Sequence, residues 1–258
     1  MAHKENILEQ LVGMSNRLGD PSKELAILGE GNTSAKIDDE TFFVKASGTN
    51  LGTITPEGFV EVYFKPVLGM LEGGPLTDSQ IKELLSSAKV DQGCKLAPSV
   101  ETIFHAYLLT LPGVNFVGHT HPVSVNAILC SRNWAEAVSG RLFPDEIVCC
   151  GVAPALVRYT DPGVMLAREI RAVVTEYMKK HGERPKSVLM QNHGLIALGA
   201  TPKEVESITV MWDKTAKILT RTYQFGGPNY LSADHVNRLA TRPDEEQRKR
   251  IIEGRDKA

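Results

Sequence analysis

Short apolar runs and helix-length amphipathic stretches alternate along this chain, and that alternation limits the fold more than any other feature. Residues 5–18 place Ile7, Leu8, Leu11 and Leu18 at helical spacing, and Gly19-Asp20-Pro21 stops the helix. Strand-like runs follow at 25–28, 35–37, 41–45 and 59–62, the middle two joined as a hairpin through Asp38-Asp39-Glu40. A modest helix is expected over 77–87. A second is expected over 100–111, with Ser99 as its cap and Glu101 in its first turn. Helices are also read at 123–130 and, less regularly, at 134–141. Asp161 and Pro162 read as the cap and first residue of a long helix ending near Lys180. Thr201-Pro202-Lys203-Glu204 is a capping box for a helix through Val205, Ile208, Met211, Trp212, Ala216 and Leu219. A charged tail runs from about residue 231, and its stretch from Asp244 reads as a solvated or frayed helix. With no internal repeat and no Gly/Ser linker, the expectation is one α/β domain over residues 1–258.

A chain of 258 residues, 42% of them apolar, can bury a sizeable core. No run of 18 apolar residues occurs, and the first six residues carry no hydrophobic signal region, so no membrane association is expected. Net charge is −2 with scattered basic residues, which argues against a nucleic-acid partner. Cys94, Cys130, Cys149 and Cys150 form neither a disulfide framework nor a Cys-x-x-Cys zinc pair, and the expected compartment is a reducing cytoplasm.

Chemistry concentrates at Val117-Gly118-His119-Thr120-His121-Pro122, which ends an apolar run. On a strand, residues two apart share a face, so His119 and His121 would stand side by side. Alone, such a pair is equally well read as polar groups at a strand end. His193, in the Gln191-Asn192-His193-Gly194 turn after the run 187–190, offers a third imidazole. Three histidines leave open positions on a metal, the arrangement of a catalytic site. His105 falls four residues after Glu101 on the same helix face and reads as packing or support. Gly29-Glu30-Gly31-Asn32-Thr33-Ser34, Ser47-Gly48-Thr49 and Ser99 are turns able to present N–H groups to an anion, or ordinary turns. Neither a dinucleotide fingerprint nor a P-loop is present. A first-turn carboxylate such as Glu101 is usually a dipole-matching surface group, but near a metal it can carry a proton.

Taken as a set, Gly31-Asn32-Thr33-Ser34, Ser47-Gly48, Pro98-Ser99-x-Glu101, His119-x-His121-Pro122 and Asn192-His193-Gly194 resemble the class II aldolase/adducin family. The likeness runs from about Glu5 to Gly226 and is similar to that of the fuculose- and rhamnulose-phosphate aldolases. It implies a three-layer α/β/α domain with a central, mostly antiparallel sheet, assembled as a homotetramer with sites at subunit interfaces. It implies Zn2+, or another divalent transition metal, on His119, His121 and His193. It also implies Glu101 as acid/base, a phosphate on Gly31, Asn32, Ser47, Gly48 and Ser99, and Tyr159 reaching a neighbouring subunit's site. Adducin lacks the metal histidines; this chain keeps them. One departure stands out: Val100 occupies the place of a second serine, removing one hydroxyl from the phosphate site. The implied reaction is retro-aldol cleavage of a small sugar phosphate through a metal-stabilised enediolate. Alternatives are decarboxylation, epimerisation or dehydration of a sugar phosphate or acid, zinc-hydroxide hydrolysis or hydration, and a non-catalytic adducin-like module.

Overall fold

The elements of the computed structural model, which describes residues 2–254, follow the hydrophobic pattern closely. The strands are β1 (Asn32–Lys36), β2 (Thr41–Lys45), β3 (Phe59–Tyr63), β4 (Phe116–Thr120), β5 (Ala155–Val157), β6 (Ser187–Met190) and β7 (Gly194–Gly199). The helices are α1 (Ala2–Leu18), α2 (Phe64–Glu72), α3 (Asp78–Ser87), α4 (Thr102–Leu109), α5 (Val123–Leu129), α6 (Trp134–Ala137), α7 (Pro144–Cys150), α8 (Val164–His181), α9 (Pro202–Thr222), α10 (Ala233–Ala240) and α11 (Pro243–Ile252).

The strands form one sheet in the order β3-β2-β1-β4-β7-β6-β5, with β4 in the middle. All pairings are antiparallel except β5 with β6. Strand residues alternate between two cores, as the pleat requires. Phe42, Val44, Val117, Val188, Ile196 and Leu198 face the layer of α2, α3, α4 and α8. Phe43, Phe116, Leu189, Leu195 and Ala197 face α1, α5, α7 and α9. This is the expected three-layer α/β/α architecture with a mostly antiparallel sheet.

Several local expectations need correction. Residues 25–28 form no strand. Glu24 and Leu28 take positive φ, and the carbonyls of Glu24 and Leu25 accept the amides of Val123 and His121. The segment is an irregular brace for the end of β4. Asn32, Thr33 and Ser34 lie in β1, not in a turn, because β4 pairs with them residue by residue. The helix expected at 100–111 begins at Thr102, and Ser99 instead turns the chain before it, its hydroxyl accepting the Glu101 amide at 3.2 Å. Asp161 does not cap α8. The helix starts after Gly163 at φ 117, and Asp161 accepts the Tyr159 hydroxyl. The tail is more tightly docked than a frayed helix. After α11 the Glu253 side chain is buried, ion-paired with Lys186, and its carbonyl accepts the Thr201 hydroxyl. Strand β5 and helices α2, α7 and α10 are unanticipated in the sequence pattern. Among the described residues no helix is long and apolar enough to cross a membrane.

Candidate metal and acid/base site

The end of β4 delivers His119 and His121, and the tight turn between β6 and β7 delivers His193. The turn is closed by Asn192 in the left-handed region (φ 53) and by Asn126, whose amide donates to the His193 carbonyl at 3.0 Å. Gly194 lets the two segments meet: a Cβ there would sit 2.6 Å from the Thr120 carbonyl and 2.7 Å from the His121 ring. Gly31, at φ +70, plays the same part on the other side of β4, where a Cβ would lie 2.6 Å from the His119 carbonyl.

One ligand atom from each of the three histidines lies within 4.8 Å of the other two. The outer nitrogens are tied down. His119 Nδ1–H donates to the Leu195 carbonyl at 3.1 Å, and His121 Nδ1–H donates to Glu30 Oε2 at 3.1 Å. Both Nε2 atoms therefore carry lone pairs, and they face each other 3.0 Å apart. Two inward lone pairs at that distance are a donor set for a cation, with a carbonyl and a carboxylate fixing the rings from behind. Burial pushes His119 well below the usual imidazole range and lowers His121 as well, which favours the neutral, ligating form of both rings. The residues present fit a divalent ion.

Glu101 stands over the triad, with Oε1 3.2 Å from His193 Nε2 and Oε2 3.6 Å from His119 Nε2. Burial works to raise its pKa. The adjoining His119 and His193 imidazoles and the hydrogen bond from Asn32 outweigh burial and hold the carboxyl below the usual range. A group in this position is a carboxylate beside the candidate ligand nitrogens, able to accept a proton.

The anion-loop residues divide in two. Asn32 is buried and turned inward, its amide donating to Glu101 Oε2 at 2.5 Å and its oxygen meeting His105 Nε2. The exposed Ser47-Gly48 turn runs alongside the segment that leads to the half-buried Ser99. The Ser47 amide donates to the Ala97 carbonyl at 2.9 Å, and Ala46 bridges to Pro98. Gly48 takes φ +82 with open space around it. Val100 packs its hydrocarbon side chain against the first core. Tyr159 is 56% exposed, its hydroxyl donating to Asp161 at 3.0 Å. Its backbone amide reaches Gln191, two residues from His193.

Two residues escape a reading of motifs. Glu30, between the two glycines of its loop, orients His121. Lys45 is buried at the end of β2, its ammonium donating to the Gly29 carbonyl at 3.3 Å. Burial lowers the Lys45 pKa, against the pull of the Glu101 carboxylate. Nothing in the local sequence marks either residue, because both act across loops far apart in the chain.

Comparison with known proteins gives the family. The Class II Aldolase and Adducin N-terminal domain family matches residues 9–220. The uncharacterized oxidoreductase YuxG of Bacillus subtilis (strain 168) is 28% identical over 263 residues, 96% of this chain; the chain spans only 34% of that protein's length. A methylthioribulose-1-phosphate dehydratase of the same organism is 25% identical over 211 residues, covering 81% of this chain and 89% of the enzyme. The N-terminal class II aldolase domain of a conserved protein from Thermoplasma acidophilum superposes with a TM-score of 0.65 at 26% identity, over 83% of this chain and 93% of that one. An L-fuculose 1-phosphate aldolase shares the fold with a TM-score of 0.67 at 17% identity, over 93% and 98%. With most of its length matched to the family model and the fold shared with a class II aldolase domain, this chain belongs to the class II aldolase and adducin family.

Proposed function

We propose that the protein is a metal-dependent aldehyde-lyase that cleaves a small sugar phosphate by a retro-aldol reaction. One observation carries the reading: the histidine triad and the Glu101 carboxylate meet in one place, from segments far apart in the chain. His119, His121 and His193 would hold the ion. Zn2+ suits three imidazoles, and other divalent transition metals accept them. When bound, the ion supplies a Lewis acid that polarises substrate oxygens next to the bond that breaks.

The chain's own groups manage the protons. Aldol cleavage removes a hydroxyl proton, breaks one C–C bond and returns a proton to the carbon left behind. Glu101 is placed to move the proton at that carbon. Tyr159, on an exposed loop, serves the departing aldehyde oxygen at a neighbouring subunit's site in a homotetramer. Ser47, Gly48 and Ser99 hold the phosphate on the outer loop, together with the Gly31–Asn32 backbone. The loss of one hydroxyl at Val100 weakens phosphate binding by about 1.5–3 kcal/mol relative to a two-serine site. Unpaired Cys149 and Cys150 in the core suit a reducing cytoplasm.

A dehydration is the second reading, favoured by the similarity to a methylthioribulose-1-phosphate dehydratase over 81% of this chain. The same carboxylate would take the proton beside the carbonyl while the neighbouring hydroxyl leaves as water. A panel of phosphorylated ketoses, with product analysis, separates the two. Aldehyde release that stops with a chelator and returns with zinc supports cleavage. Loss of water without aldehyde supports dehydration, and turnover that survives complete metal removal refutes both.

A further inference from the structure

Behind Glu101 lies a line of buried polar atoms whose protons can be placed one by one. The Glu101 carboxylate accepts from Asn32 Nδ2 at 2.5 Å. The other end of that amide is then its oxygen, and it meets His105 Nε2. An amide oxygen can only accept, so Nε2 bears the proton. A neutral imidazole carries one N–H, which leaves Nδ1 as an acceptor for the Ser34 hydroxyl 2.6 Å away. His105 is fully enclosed, and burial pushes its pKa down to about 3, so the ring stays neutral. Each contact in the line has a single direction: Ser34 to His105 to Asn32 to Glu101.

The fold builds this line deliberately into one layer. Asn32 and Ser34 are two apart on β1 and so share the face that carries α4. His105 lies one turn after Glu101, so one short stretch of chain supplies both the carboxylate and the ring that faces its support. If the amide were free to turn over, its oxygen would oppose the carboxylate, two acceptors face to face.

We propose that Ser34 and His105 are positioning residues that fix the Asn32 amide with its N–H toward Glu101 and so hold the carboxylate over the histidine triad. This rests on the lyase reading for its catalytic consequence, but the proton arrangement itself does not. Nitrogen-15 NMR of histidine-labelled wild-type protein reads the tautomer directly, with the signal assigned by its loss in His105→Gln. The expected spectrum shows protonated Nε2 and bare Nδ1, unchanged through the ordinary histidine range. Ser34→Ala is expected to lower kcat about tenfold while KM and zinc affinity stay put, and Ser34→Thr, which keeps the hydroxyl, to restore it. A wild-type ring protonated at Nδ1, or Ser34→Ala at full kcat, overturns the proposal. A protein that binds no zinc and turns over no phosphorylated ketose sinks the lyase reading, while the wild-type spectrum still decides the tautomer.

Discussion

The inner and outer halves of the site are built to different standards. Inside, at the end of β4, every named polar group is tied: His119 to Leu195, His121 to Glu30, Glu101 to Asn32, Asn32 to His105. Outside, Ser47 and Gly48 are exposed, Gly48 has open space about it, and the Tyr159 hydroxyl is occupied only by Asp161. Groups that must meet an ion and move a proton within tenths of an ångström gain from a rigid surround. Groups that grasp a substrate can be finished by that substrate. The difference says where tolerance to change should lie.

The sharpest way to break this contrast is His193→Ala. It removes one of three ligands from the rigid half, and bound metal and activity should both disappear, as read by elemental analysis and product assay. Activity at the wild-type level would remove the triad from the mechanism. Glu101→Gln keeps the shape and the Asn32 contact geometry but not the proton carrier. A fall in kcat of about 10²–10⁴ is expected with metal content retained. On the outer half, Tyr159→Phe should leave unfolding free energy within about 0.5 kcal/mol, since the side chain is exposed. Its kcat should drop by about 10², the low end for a positioned proton-transfer group. The smallest effect is on acid stability. His105 is buried and neutral with a pKa about 3, against 6.5 for the ordinary group. Below pH 6.5 the unfolded chain binds a proton that the native ring refuses. Stability contributed by this residue is therefore present above 6.5 and lost as pH falls toward 3. The slope is about 1.4 kcal/mol per pH unit, measurable by urea titration at successive pH values. His105→Gln should flatten that slope.

Much of the inner half was legible in the chain itself. His-x-His at a strand end and a glycine-flanked histidine after a second strand are local patterns, and the pleat converts them into a shared place. The alternating runs gave one α/β domain, while its three layers were implied by the family resemblance; the pleat then sends Phe42 and Val44 to one core and Phe43 to the other. What stayed hidden was whatever depended on contacts across loops. Glu30 and Lys45 have no periodic or motif signal. Asn32 reads as a turn residue beside two glycines, yet pairing with β4 pulls it into a strand and its side chain inward. Asp161 reads as a cap because Asp-Pro so often is one, but its carboxylate is claimed by the Tyr159 hydroxyl, and Gly163 starts the helix instead. The short strand β5 is three residues long, too brief for a pattern to show.

Asn32 stands directly across from His119 on adjacent strands, and Ser34 across from Val117. The sheet's own ladder thus works as a ruler that aligns the support of the Glu101 carboxylate with a histidine of the triad. If β1 slipped by one residue against β4 during folding, the amide would swing to the opposite side of the sheet while strand content barely changed. Such misassembled molecules would look native by far-ultraviolet circular dichroism and still be catalytically silent. Specific activity per correctly folded chain, rather than secondary structure, is therefore the measure of whether a preparation of this protein has folded.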